Sequence, residues 1–289
     1  MKKVYYLLIV MAAVLWGSTG IFSTIMSNAG IESTQMSLVR SCVATFVVGI
    51  IYLVKDRSIF RLKKFSDIKY FIGMGIVSYA FFNFCYIRAI EETSMGVAAI
   101  LLYTAPSIIM VLSVILFKEK FTLKKFIILC VTFVGCILVT GLDSGMDAIS
   151  AKGLIFGLCS GLGYALYSIF GKYALKEYSS ITAVFYMCLF SSVPFFLIQN
   201  PITVIEIFNE TNMWAVGITF AIMSAALPYL AYTKALEHVE ASRASLIASL
   251  EPVVAAIFGI VLFAEGVSVA KIVGILLVLG AVVVMSLDK

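Results

Sequence analysis

Long apolar runs broken by short polar links set the pattern of this chain. Ten runs can be marked, at 4–27, 33–54, 68–90, 94–117, 123–142, 153–173, 180–199, 212–236, 240–263 and 267–287. Each is close to the roughly 20 residues that an α-helix needs to cross the hydrocarbon of a bilayer. The links leave no room for a soluble domain. The first run follows Lys2 and Lys3 and so imitates a secretory signal. It exceeds the about 7–15 apolar residues of such a signal and is read as an uncleaved first span.

Composition agrees with the pattern. Hydrophobic residues make up 62% of the chain and charged residues 13%, against roughly a quarter charged in soluble domains. An all-α integral membrane protein follows, with lipid as its surroundings. The net charge of +5 does not point to nucleic acid, because the charges punctuate apolar runs. They read as topology signals. With a cytoplasmic N-terminus, 17 of the 21 Lys and Arg fall in inside segments, and only Arg88, Lys152 and Lys271 fall outside. Arg40 lies within the second span. Both termini are therefore expected in the cytoplasm. The 143–152 link, with Asp143 and Asp147, is expected outside, dividing the chain into 1–145 and 146–289.

The two halves repeat. Adding 146 without a gap carries Tyr86 onto Tyr232, Arg88 onto Lys234 and Glu91 onto Glu237. It also carries Pro106 onto Pro252, Phe117 onto Phe263, Glu119 onto Glu265 and Lys125 onto Lys271. Near the helix starts, Trp16-Gly17 matches Tyr164-Ala165 at a shift of 148. Five spans is an odd number, so the second half enters the membrane from the opposite side. Inverted repeats are a common build of secondary transporters, whose substrate site lies near the midplane between the repeats.

One span carries a polar group at its centre. Glu251 interrupts the run 240–263 and Pro252 follows at once. A carboxylate at that depth is costly and is expected to face a water-filled cavity or a partner. A proline there bends the helix and frees a carbonyl one turn earlier. At 100° per residue, Ala244, Ala248, Ala255 and Gly259 share the Glu251 face, leaving room for a ligand or a close helix. Three readings of Glu251 stay open: it binds a cationic or amine group, it carries a coupling proton, or it props the helix break through hydrogen bonds. Pro106 and Pro252 occupy matching places and read as gating hinges or as static kinks. Arg40 has three readings: it snorkels to the outer interface, attracts an anionic group, or pairs with a carboxylate.

Polar and aromatic residues at mid-depth are candidates for the cavity lining. They are Trp16, Ser18, Tyr79, Asn83, Tyr86 and Tyr103 in the first half, and Tyr164, Tyr167, Ser168, Tyr229, Ser245 and Ser249 in the second. Arg88, Lys234 and Glu237 sit at helix ends, as interfacial anchors do. Gly157-x-x-x-Gly161 with Gly163 lies inside a span and reads as close helix packing, not as a phosphate loop. All six cysteines lie in apolar stretches, no CxxC occurs and there is one histidine. No metal site or cofactor is expected.

These residues resemble the drug/metabolite transporter superfamily, in its EamA-like branch. The likeness rests on Leu15-Trp16-Gly17-Ser18, Arg40, Tyr103-Thr104-Ala105-Pro106 with Glu119, and Leu250-Glu251-Pro252 with Glu265. It covers nearly the whole chain. It implies ten helices in two inverted five-helix repeats around a central cavity, a bacterial plasma (inner) membrane location, and movement of small metabolites, often amino acids. One departure is plain: the first repeat has Ala105 where the second has Glu251.

Other function classes fit less well. No GxxxxGK[ST] loop is present, so energy must come from a gradient, possible proton coupling included, or from facilitated diffusion. An intramembrane enzyme would need paired acid/base groups or a nucleophile at depth. There is no HExxH, and His238 lies beside a link. A receptor or scaffold would want a soluble domain. Efflux of cationic drugs is the alternative within transporters, although that group's acidic first helix has no counterpart in 4–27. A sugar-phosphate exchanger would want convergent cations, and Arg40 is nearly alone. Ten helices can enclose a cavity within one chain, so a monomer is expected.

Overall fold

The computed structural model describes residues 2–55, 57–141 and 150–287. Asp143 and Asp147 of the expected external link lie outside the described residues, as do residue 142 of the fifth run and Lys289. Among the described residues, ten helices are long and apolar enough to cross a membrane. They are α1 (Lys3–Asn28), α2 (Ser33–Lys55), α3 (Phe65–Glu92), α4 (Met95–Phe117), α5 (Leu123–Thr140), α6 (Ala151–Ala174), α7 (Ser180–Ile198), α8 (Trp214–Leu236), α9 (Ala241–Phe263) and α10 (Val269–Leu287). A further short helix, Pro201–Glu210, lies in the link before α8 and buries Val204 and Phe208. Asn200 caps it, accepting a hydrogen bond from the Ile202 N–H at 3.0 Å.

Among the described residues, three membrane helices are interrupted. α1 breaks at Ser18, between Lys2–Gly17 and Thr19–Asn28. α4 divides into Met95–Leu102 and Ala105–Phe117, and α9 into Ala241–Ala248 and Glu251–Phe263. The two divided helices break alike: the Thr104 N–H donates to the Leu101 carbonyl, and the Leu250 N–H to the Ile247 carbonyl, each at 3.2 Å. Pro106 and Pro252 therefore do not kink continuous helices. Each stands in the first turn of a new segment, where its missing N–H leaves no bond unmade. The break also undoes the expected common face of Glu251. Ala244 and Ala248 lie before it, while Ala255 and Gly259 follow on the segment that Glu251 begins, and a 100° step cannot be carried through two non-helical residues.

The two repeats interleave. α1 packs on α8 and its repeat counterpart α6 packs on α3, while α2 packs on α7 and α5 on α10. At the α5–α10 crossing two glycines meet. A Cβ on Gly135 would stand 3.1 Å from the Gly274 carbonyl oxygen, and one on Gly274 would stand 2.7 Å from that of Gly135. Gly161 lets α6 approach α4, its position lying against the Leu101 carbonyl and Thr104, as the small-residue pattern predicts. Outward faces keep Leu7, Phe46, Ile115, Leu123, Val261 and Leu276 exposed, which suits contact with acyl chains.

α3 and α8 each contain π-helical turns, at Gly73–Ala80 and Ile222–Ala226. Both stretches end at equivalent repeat positions, Ala80 and Ala226. Wide turns of this kind often accompany functional sites, and here they lie just before Asn83 and Tyr229, which are also repeat mates.

Candidate functional site

Three helices converge at mid-depth with aromatic side chains. α1 brings Trp16, α6 brings Tyr164 and Tyr167, and α8 brings Tyr229 and Tyr232. The Trp16 ring centre lies 5.1 Å from Tyr229, 5.3 Å from Tyr232 and 6.3 Å from Tyr164. Tyr229 also meets Tyr167 at 4.8 Å and Tyr79 of α3 at 5.6 Å. Edge-to-face contacts of this sort set each ring by its neighbours. Ser78, Phe82 and Ser168 complete the lining of a narrow cavity of about 10 Å³, room for one water.

The hydroxyl tips are ordered by partners. Tyr167 Oη and Thr233 Oγ1 stand 2.5 Å apart, and Ser168 Oγ and Tyr232 Oη 2.9 Å apart. The Ser78 hydroxyl donates to the Gly163 carbonyl at 2.7 Å, tying the π-helical stretch of α3 to α6.

Glu251 stands at one side of this box. The Tyr164 hydroxyl donates to its Oε2 at 3.2 Å. Glu251 remains partly exposed, as do Tyr86, Tyr103 and Tyr164. Gly17 makes the arrangement fit. A Cβ there would stand 2.8 Å from the Glu251 carbonyl oxygen, so only glycine lets α1 cross the restart of α9.

Arg40 defines the other side. It does not extend to the interface. Its Nη2 donates to Asn83 Oδ1 at 2.7 Å, and its guanidinium lies 5.0 Å from the Tyr79 ring centre and 5.3 Å from that of Phe220. Asn83 is itself fixed, its amide donating to the Tyr79 carbonyl at 2.7 Å. Two polar atoms stay unpaired here among the described residues: Arg40 Nε and Tyr79 Oη, both buried. Rings in contact run from Tyr79, beside Arg40, through Tyr229 and Trp16 to Tyr164, beside Glu251, so the ring cluster lies between opposite charges.

Not every candidate joins the site. The hydroxyls of Ser18, Ser245 and Ser249 donate back to carbonyls of their own helices, those of Leu15, Ser242 and Ser245. Pro106 and Pro252 are buried at their segment starts. Arg88 and Lys234 pair with Glu91 and Glu237 three residues on, at helix ends. Conversely, Ser78, Phe82, Tyr232 and Thr233 belong to the lining or its hydrogen bonds. Tyr232 carried a signal, as the repeat mate of Tyr86. Phe82 carried none, because a phenylalanine in an apolar run looks like any other. Among the described residues, no three His, Cys, Asp or Glu side chains converge as metal ligands would.

Comparison with known proteins fits this architecture. The model of the EamA-like transporter family matches residues 3–141 and 151–287. The chain belongs to the EamA-like transporter family. Each matched stretch spans five of the ten helices, and this EamA-like chain is a multi-pass membrane transporter. It is similar to an uncharacterized transporter of Archaeoglobus fulgidus, at 26% identity over 283 residues, covering 96% of this chain and 94% of the relative. It is also similar to the threonine/homoserine exporter RhtA of Escherichia coli, at 25% identity over 223 residues, covering 76% and 69%. A solved crystal structure matches with a TM-score of 0.80 at 15% identity, over 97% of this chain and 95% of the other. That likeness concerns the fold alone.

Proposed function

We propose that this EamA-like transporter moves small amino-acid-like metabolites out of the cell by alternating access, with the substrate held in the aromatic box. One observation carries the reading: opposite charges flank one ring cluster, Arg40 lying 5.0 Å from the Tyr79 ring centre and Glu251 accepting from the Tyr164 hydroxyl at 3.2 Å. A zwitterion has two poles of that kind. Its carboxylate would take the unpaired Arg40 Nε and Tyr79 Oη, as guanidinium and carboxylate match in geometry. Its amine would take Glu251, and its body would lie on the rings of Trp16 and Tyr229.

The narrow cavity requires movement around a substrate, and the broken helices α4 and α9 supply segments that can tilt separately. Glu251 also serves as the carrier of a coupling proton, exchanged when the passage opens to water. The excess of Lys and Arg on the links at the end bearing both termini supports a cytoplasmic placement of that end, in a bacterial inner membrane. The resemblance to a named threonine/homoserine exporter supports export and the substrate class. The chain works as a monomer, since the box is built within one chain.

The test is flux in liposomes with the purified protein, using a panel of neutral amino acids, their decarboxylated amines and their N-acetyl derivatives, with and without a pH gradient. Selective movement of the zwitterions supports the reading. Movement of the amines alone favours cationic efflux, which needs Glu251 but not Arg40.

A further inference from the structure

The two repeats agree closely at the ends of α4 and α9, which makes one difference between them informative. Lys118 and Ala264, repeat mates, both close their helices with left-handed backbone, φ 55° and 52°. The next N–H groups bond alike: Glu119 to the Ser113 carbonyl at 3.3 Å, and Glu265 to the Gly259 carbonyl at 3.2 Å. Lys125 Nζ donates to the Lys120 carbonyl at 3.1 Å, and Lys271 Nζ to the equivalent Gly266 carbonyl at 3.4 Å. Thr122 and Ser268 cap the following helices, accepting from the N–H of Lys125 at 3.2 Å and of Lys271 at 3.1 Å.

The two carboxylates nevertheless do different things. Glu119 reaches across the repeat boundary to the start of α9. Its Oε1 accepts from the Ala241 N–H at 2.8 Å, and its Oε2 accepts from the Ser242 N–H at 3.3 Å and from the Ser242 hydroxyl. Lys125 Nζ reinforces the join, donating to Glu240 at 2.7 Å and to the Ser242 hydroxyl at 3.2 Å. Among the described residues, Glu265 crosses no boundary. It pairs with Lys271 at 3.1 Å with its side chain 53% exposed, and it folds back over Gly259, where a Cβ would come within 2.6 Å of its carboxyl carbon.

The helix packing differs in the same sense. The second half of α4 packs against the first half of α9. The symmetry-related pair, the first half of α4 and the second half of α9, forms no comparable interface among the described residues. The described arrangement is thus latched at the Glu119 end and parted at the Glu265 end.

We propose that Glu119 and Glu265 are paired gate latches that exchange roles between the two transport states. When the Glu119 end opens, Glu265 leaves Lys271 and accepts hydrogen bonds from the backbone N–H groups of Met95 and Gly96. These are the repeat mates of Ala241 and Ser242, and first-turn N–H groups have no partner within their own helix. A carboxylate at a helix N-terminus is also favoured by the helix dipole. Gly259 is the parking place that keeps Glu265 off its latch in the described state. Ser113 stands at the matching position, beneath the engaged Glu119. This rests on the alternating-access reading and adds to it the groups that hold each end shut.

The test is an electron paramagnetic resonance distance between nitroxides on Met95→Cys and Gly266→Cys. It uses the full chain in liposomes, with the six native cysteines replaced by alanine. Met95 is exposed and a Cβ at Gly266 meets nothing within 4 Å, and neither position is a latch carboxylate. A long and a short distance are expected, in a ratio set by the latches. Glu119→Ala raises the short-to-long ratio roughly 3- to 10-fold, the size of effect a lost helix cap gives. Glu119→Gln, which keeps one acceptor, raises it less, and Glu265→Ala lowers it. Gly259→Ala removes no polar group, yet it raises the ratio by displacing Glu265 from its parked position. If the ratio follows added substrate but ignores all four substitutions, the latches are refuted while alternating access stands. If one unchanging distance is seen in every variant, with and without substrate, alternating access falls and the latches with it.

Discussion

The Tyr164 hydroxyl donates to Glu251 Oε2 at 3.2 Å, joining the first helix of the second repeat to the residue at which α9 restarts. Glu251→Gln keeps an acceptor for that hydroxyl and removes the charge. We expect flux of zwitterionic substrate to fall by more than about 10-fold, with helical content unchanged, since hydrogen bonds to charged groups are worth roughly 1.5–3 kcal/mol. Tyr164→Phe loses the bond and keeps the charge, and a smaller fall is expected. Liposome flux beside circular dichroism checks both; wild-type flux in Glu251→Gln would make the carboxylate structural.

Arg40 sits between Asn83 and two rings, and a lysine cannot reproduce that planar fit. Arg40→Lys is therefore expected to raise KM for zwitterionic solutes about 10-fold, a loss of ~1.4 kcal/mol. Transport of amines that lack a carboxylate should be unaffected. Concentration-dependent uptake curves for a matched pair, such as an amino acid and its decarboxylated amine, decide this. Equal losses for both solutes would count against a carboxylate pole at Arg40.

The Gly135–Gly274 crossing brings backbone against backbone, which no side-chain rotation can relieve. Gly274→Leu should force α10 away from α5 and cost about 1–3 kcal/mol, in the range of overpacked cores. Thermal unfolding in detergent reads the loss. Gly280→Leu, where a Cβ meets nothing within 4 Å, serves as the control and should leave the midpoint nearly unchanged.

Glu237 lies just beyond the end of α8 and holds the start of α7. Its Oε1 accepts from the Ser180 N–H at 3.1 Å, and its Oε2 accepts from Lys234 Nζ at 2.5 Å. Burial pushes its pKa up, but the hydrogen bonds from Lys234 and Ser180 outweigh that and hold it below the ordinary 4.5. A lowered carboxylate stabilises the fold above its unfolded value, and this contribution is lost as pH falls through the folded value. The difference in unfolding midpoint between wild type and Glu237→Gln should therefore be constant from neutral pH down to about 5 and shrink below 4.5. A difference that stays level through that acid range would show that the ionised form is not the stabilising one.

The sequence by itself determined the quantities that add up along a line. Hydrophobic length fixes how many helices can span a bilayer, and ten runs became ten helices. The shift of 146 exposed the repeat and, through its odd number of spans, the inversion. It reached as far as the matched backbone of Lys118 and Ala264. The acid beside a proline marked Glu251 and the break of α9, because such a pair is costly in any apolar run.

Only the tertiary structure decided which side chains meet, since that depends on the crossing and rotation of helices far apart in sequence. Arg40 turned inward because Asn83 and Tyr79 of α3 stand opposite it. Ser245 and Ser249 dropped out because their hydroxyls reach carbonyls of their own helix first. Tyr232 and Phe82 entered the box through the packing of α8 and α3 on α1 and α6. Glu119 and Glu265 are identical in type and matched in position, and their different partners come only from how the two repeats lean on one another.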